Sequence, residues 1–153
     1  KAIPLHAKRV VSLPKTMIYL DANIFILAAG SRSEVGEKAR KFLENIQAGK
    51  ERVFTSALTF DEVVWKLSQI RNFDDALAAG DNLIEMPNLV LLDVDKWAIL
   101  KSLDLMRIYK LYPRDAIHAA SALNNNIFTI VSEDKDFDNI NGLKRKSINE
   151  LRL

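Results

Sequence analysis

Four carboxylates in this 153-residue chain, Asp21, Glu62, Asp115 and Asp134, stand where an α/β protein places reactive groups. Asp21 directly follows the apolar run Met17–Leu20. Asp134 follows a second apolar run, Ile127–Val131, within Ser132-Glu133-Asp134-Lys135-Asp136-Phe137. Ligand sites in open α/β sheets lie beyond the carboxyl ends of the strands. Glu62 and Asp115 fall in the first two turns of expected helices that begin near that same edge. Four converging carboxylates would repel and raise one another's pKa values. A divalent cation removes that penalty, and Mg²⁺ in particular takes oxygen ligands, keeps several waters and binds substrate phosphates. Such an ion activates water and polarises a phosphate ester. The chain has two histidines, no cysteine and no G-x-x-x-x-G-K-[ST] loop, so metal-assisted phosphodiester hydrolysis is the chemistry these residues suit.

Each acid taken singly has a plainer role. Asp21 is placed to cap a short helix, Glu62 to be a solvated helix residue beside a competing Asp61, and Asp115 to serve a helix dipole. Asp134 competes with Glu133, Asp136 and Asp138 in an acidic loop. Only the four acids as a set point to a metal centre.

The elements that must position these acids follow from periodicity. Met17–Leu20 reads as a strand. Ser31 and Glu34 have capping-box spacing, ahead of a helix through Val35, Ala39, Phe42, Leu43 and Ile46 that Gly49 ends. A short strand is expected at 52–55. Ser56 then caps a helix reaching Ile70, with Phe60, Val63, Val64 and Leu67 on its core face. Further helices are expected over about 74–86 and from an Asp95 cap to Tyr109, with a strand at 88–92 between them. Pro113 suits a first helical position, opening a helix to about Leu123. Strands follow at 127–131 and, more weakly, 143–145. Strands alternating with helices predict an α/β domain with a mostly parallel sheet.

Composition agrees with one soluble globular domain: 48% hydrophobic and 27% charged residues, and no apolar run near the roughly 20 residues of a membrane span. The absence of cysteine excludes disulfides, thiol catalysis and zinc–thiolate sites, and points to a cytoplasmic setting. The net charge of +2 conceals an asymmetry. Lys1, Lys8, Arg9 and Lys15 lie in the first 16 residues, which hold no acid; from Met17 onward 18 of the 22 basic residues face all 20 acids. Nucleic-acid binding would therefore depend on a local patch, a metal or that basic segment. Residues 1–16 are expected to be an extension to a domain spanning 17–153.

In order and spacing the acidic segments resemble the PIN-domain family. Ile18-Tyr19-Leu20-Asp21-Ala22-Asn23 resembles its opening strand and first acid, and Leu58-Thr59-Phe60-Asp61-Glu62-Val63 the helix with the second. Pro113-Arg114-Asp115-Ala116-Ile117-His118-Ala119-Ala120 resembles the third segment. Ile130-Val131-Ser132-Glu133-Asp134-Lys135-Asp136-Phe137 resembles the closing motif. The resemblance implies a three-layer α/β/α fold with about five strands in the order 3-2-1-4-5. It implies that Asp21, Glu62, Asp115 and Asp134 bind Mg²⁺ or Mn²⁺ or position the attacking water. Asp136 would be an auxiliary acid, with Asn23 and Ser132 hydrogen-bonding behind the ligands. Small members of the family are commonly VapC toxins. The implied function is a metal-dependent endoribonuclease, homodimeric and restrained by a cognate antitoxin, acting on RNA. The alternatives are a housekeeping nuclease of RNA maturation and a catalytically silent interaction scaffold, the latter disfavoured by the complete acidic set. A haloacid-dehalogenase-type phosphatase is rejected, because its second Asp is replaced by Asn23.

His118 shares a helix face with Asp115 and is expected to be structural or to support a ligand from behind. Ala116, Ala119, Ala120 and Ala122 predict close packing of that helix on the sheet. Arg114 and Lys135 are candidate phosphate contacts, with ordinary surface charge at least as good a reading. Trp65 and Trp97 are expected in the core or a dimer interface rather than stacked on bases.

Overall fold

The computed structural model describes residues 16–153, so the expected extension lies, but for Thr16, outside the described residues. The elements run β1 (Ile18–Leu20), α1 (Ala22–Gly30), α2 (Glu34–Gln47), β2 (Val53–Ser56), α3 (Leu58–Ile70), α4 (Phe73–Glu85), β3 (Leu89–Leu92), α5 (Lys96–Tyr109), α6 (Pro113–Asn124), β4 (Thr129–Val131) and β5 (Lys144–Lys146). Short 3-10 turns follow β4 at Lys135–Phe137 and β5 at Ile148–Glu150. All strand pairings are parallel and the order is β3-β2-β1-β4-β5, as expected.

Alternation along the strands builds two cores. Leu20, Val53 and Val131 face α1–α4, joining Ile24, Phe42, Ile46, Val63 and Leu67. Tyr19 and Ile130 face the other way, toward Leu105 on α5 and the alanines of α6. Neighbouring strand residues therefore serve opposite layers, as the two-residue period of a strand requires. Ala116, Ala119, Ala120 and Ala122 are fully buried, so α6 sits close against the sheet. Among the described residues no helix is long and apolar enough to cross a membrane.

Local chemistry moves several expected boundaries. Ser33, not Ser31, caps α2: its side chain accepts from the Gly36 amide at 3.2 Å. Ser56 ends β2 instead of capping α3, which starts after Ala57 without a side-chain cap. Asn72 caps α4 by accepting from the Asp75 amide at 2.8 Å, and Asp95 caps α5 as expected. On α3, Val63 and Leu67 are buried, whereas Phe60 is 40% exposed and rests beside Gly80 of α4. Trp65 and Trp97 are 53% and 69% exposed, which removes the core from the two placements expected for them.

Gly36 yields a stability prediction. A Cβ there would lie 2.5 Å from the Ser31 carbonyl oxygen, which also accepts from the Arg40 guanidinium at 2.6 Å and so is held in place. Gly-to-Ala in a helix ordinarily gains up to about 1 kcal/mol, but a backbone clash of this kind costs about 1–3 kcal/mol. Gly36→Ala is expected to lower stability by about 1–2 kcal/mol in urea unfolding. A stabilised variant would contradict this packing.

Candidate active site

The sheet order reverses direction between β1 and β4, and such a switch point opens a crevice at the carboxyl ends of the strands. Asp21 leaves β1 there, its amide donating to the Val131 carbonyl at 3.1 Å, and the loop after β4 carries Asp134 to the same edge. Ser132 joins the two. Its hydroxyl donates to Asp21 Oδ2 at 2.6 Å and accepts from the Asp134 amide and from Asn23 Nδ2, both at 3.0 Å. One donor and two acceptor positions exhaust a serine hydroxyl, so Ser132 fixes both acids and Asn23 at once. Asn23 and Ser132, expected to hydrogen-bond behind the ligands, are thus bonded to each other and, through Ser132, to Asp21. Asn23 Oδ1 is buried and meets no donor among the described residues.

The remaining acids come from helices anchored on the sheet. The Thr55 hydroxyl of β2 donates to the Leu20 carbonyl at 2.8 Å and lies 2.6 Å from the Thr59 hydroxyl, tying the first turn of α3 to β1. Glu62 follows Thr59 by three residues, on the same helix face, and reaches His118. Asp61 points elsewhere: it is exposed and pairs with Arg114 at 3.5 Å, while Arg114 also lies over the Trp65 ring at 5.8 Å. Arg114 is thereby partly engaged away from the acids. Asp115 stands in the first turn of α6 behind Pro113.

The acidic loop sorts itself by hydrogen bonding. Glu133 accepts from the Ser147 hydroxyl and the Ile148 amide, which anchors the last turn of the chain. Asp138 accepts from Arg145 of β5 at 2.5 and 3.3 Å, and the same guanidinium donates to the Ser132 carbonyl at 3.0 Å. Two acids are thus structural, and Arg145 holds the Asp138 carboxyl below its ordinary pKa. Asp134 and Asp136 remain. Together with Asp115 they bring carboxylate oxygens within 4.8 Å of one another. Asp21 and Glu62 are not part of this group: the charge of Asp21 acts on Asp115, and that of Glu62 on Asp21. Asp136, expected to be auxiliary, is inside it, and the D-x-D spacing of Asp134 and Asp136 was the signal for that.

Electrostatics mark the cluster as short of positive charge. Burial and the neighbouring carboxylates of Asp134, Asp21 and Asp136 push Asp115 up to about 6. Burial, aided by Glu62, raises Asp21, although His118 and Ser132 oppose it. His118 is fully buried between Tyr19 and Glu62. Burial disfavours its charge, yet Tyr19, the hydrogen bond to Glu62 and the charges of Asp21 and Glu62 outweigh it, leaving the imidazole well above its ordinary value. An all-oxygen donor set with excess negative charge fits a hard divalent cation such as Mg²⁺ or Mn²⁺.

A family model for the PIN domain matches residues 18–143. The chain belongs to the PIN domain family. Two curated relatives, the VapC ribonuclease Mb1869c of Mycobacterium bovis and ribonuclease VapC13 of Mycobacterium tuberculosis, are each 29% identical over 130 residues. That is 84% of this PIN chain and 98% of theirs. Among solved structures, VapBC2 of Rickettsia felis bound to a promoter DNA fragment superposes with a TM-score of 0.68 at 16% identity, covering 86% of this chain and 98% of that one. DNA-bound VapBC of Salmonella typhimurium gives 0.66 at 21%, covering 88% and 99%. At these identities the structures speak for the fold, which is the PIN fold with five parallel strands.

Proposed function

We propose that this PIN protein is a metal-dependent endoribonuclease and the toxin of a toxin–antitoxin pair. The observation that carries the chemistry is the triad Asp115, Asp134 and Asp136, with oxygens within 4.8 Å of one another and Asp115 pushed up to about 6. Likeness over most of the chain to relatives named VapC ribonucleases supports RNA as the substrate. The partner is an antitoxin protein, in keeping with solved relatives that are VapBC assemblies, and the setting is cytoplasmic. A second copy of the chain is a further partner. The exposed indoles of Trp65 and Trp97 supply apolar surface that a partner would cover.

In this reading Asp115, Asp134 and Asp136 would hold Mg²⁺ or Mn²⁺, with Asp21 near enough for its charge to act on Asp115. Once bound, the ion supplies Lewis-acid polarisation of the scissile phosphate and acidifies a water. Asp21, fixed by Ser132, and Glu62, fixed by His118, offer carboxylate oxygens to orient that water and accept its proton. Lys135, in the loop bearing Asp134 and Asp136, is available to an RNA phosphate.

The test is cleavage of a total-RNA pool with Mg²⁺ or Mn²⁺ and with excess EDTA. Metal-dependent fragments of defined length are expected; undiminished cutting in EDTA would overturn the reading. Induced expression should arrest growth, with rescue by a small protein encoded beside it.

A further inference from the structure

Behind Glu62 lies a buried pair, Tyr19 and His118, that takes no direct part in the chemistry. Tyr19 and His118 have no solvent exposure, and His118 stands among alanines on α6. A phenol and an imidazole are costly to bury in such surroundings unless they are hydrogen-bonded, and leucine or phenylalanine would fill the space without that cost. Both are satisfied, and by each other. The Tyr19 hydroxyl lies 2.7 Å from His118 Nδ1, with the rings edge to face at 5.7 Å and 68°. On the far side of the ring, Nε2 lies 2.5 Å from Glu62 Oε1 and 3.6 Å from Asp21 Oδ1.

The direction of these bonds follows from the acceptor. A carboxylate only accepts, so Nε2 carries a hydrogen and donates to Glu62. Nδ1 is taken by Tyr19, which fixes the plane of the ring and aims Nε2–H at Oε1. Glu62 has three rotatable side-chain bonds, and among the described residues His118 is its hydrogen-bond partner. That bond takes one carboxylate oxygen, Oε1, and Glu62 lies near enough to Asp21 for its charge to act on it. The same Nε2–H lies between Glu62 and Asp21, so one imidazole spaces two acids from different elements.

We propose that Tyr19 and His118 are positioning residues: from within the core they hold Glu62 in one orientation beside Asp21, touching neither RNA nor the ion. The proposal rests on the metal-nuclease reading of this site. Partners behind the ligands of a metal site typically set affinity or activity by about 10–100-fold.

The experiment compares wild type with His118→Leu, His118→Gln and Tyr19→Phe. Mn²⁺ binding is followed by calorimetry without RNA, and cleavage of a defined RNA with kcat and KM separated. Gln keeps an N–H near the position of Nε2; Leu fills the volume without a donor. His118→Leu is expected to weaken Mn²⁺ binding and lower kcat by about 10–100-fold, with KM for RNA unchanged. His118→Gln should recover most of both losses, and Tyr19→Phe should lose several-fold in kcat. A space-filling histidine predicts the opposite order, with the apolar Leu tolerated and the buried amide penalised. Equal behaviour of Leu and Gln, or a wild-type His118→Leu, would overturn the proposal. Should His118→Leu fail to fold, Tyr19→Phe decides, since it removes one hydroxyl and leaves no cavity; an unchanged kcat there overturns it. Wild type that neither binds Mn²⁺ nor cuts RNA removes the nuclease reading itself, and this inference with it.

Discussion

Asp115→Asn is expected to lower metal-dependent RNA cleavage by about 10³-fold or more while making the metal-free protein more stable. The two effects share one cause. Asp115 is pushed up to about 6 by burial and by Asp134, Asp21 and Asp136, so at neutral pH its charge opposes the fold. Taken whole, a shift from 3.8 to about 6 would convert to roughly 3 kcal/mol. The carboxyl is only half-buried, so water screening reduces this to about 1–2 kcal/mol. Asn also forfeits part of the interaction of an acid with the start of α6, about 0.3–1 kcal/mol. A net gain of about 1 kcal/mol in urea unfolding at pH 7 is expected. An inactive variant that was also destabilised would mean that Asp115 supports the fold and would remove the main argument for a metal there.

Metal and pH should act on stability together, which gives the second large effect. The folded pKa of Asp115 lies above its value in the unfolded chain. Between about 4 and about 6 the native state therefore keeps a proton that the unfolded chain has released. Stability of the metal-free protein should fall as pH rises through that window and stay lower above it. The raised Asp21 adds in the same direction. His118 is raised from an ordinary 6.5, so its contribution is constant below that pH and is lost only as pH climbs through its higher folded value. Mn²⁺ at a hundred times its Kd should restore about 2.7 kcal/mol at pH 7.5, a rise of about 5–10 °C in Tm. The gain should be much smaller near pH 5, where Asp115 holds a proton that the ion must displace, and be much reduced in Asp115→Asn. A metal-induced rise that was as large at pH 5 as at pH 7.5 would place the ion elsewhere.

Much of this molecule is legible without coordinates, because its determinants are local. The apolar runs ahead of Asp21 and Asp134, the Pro113 helix start and the Asp95 cap are matters of neighbouring residues. They sufficed for the alternating α/β pattern and, through the resemblance of the acidic segments, for the 3-2-1-4-5 order. Where local signals competed, expectation slipped by a few residues. Ser31 and Ser33 are both capable caps, and the Gly36 amide is within reach of Ser33. Ser56 is a cap by type, but pairing with Leu92 of β3 draws it into the sheet.

The tertiary structure decided what depends on direction in space. Asp61 and Glu62 are adjacent in sequence and about 100° apart around α3, so only the docking of that helix through Thr55 and Thr59 could turn Glu62 toward Asp21 and Asp61 toward Arg114. Glu133, Asp134, Asp136 and Asp138 are equivalent carboxylates on paper. Arg145 and Ser147, more than ten residues beyond Glu133, claim the outer pair and leave the inner two beside Asp115. Tyr19 meets His118 across 99 residues, a pairing that no spacing rule encodes. The sequence by itself determined which acids exist and which strands and helices carry them. The fold determined which of them meet, because the aim of a side chain is set by the packing of its element against partners distant in the chain.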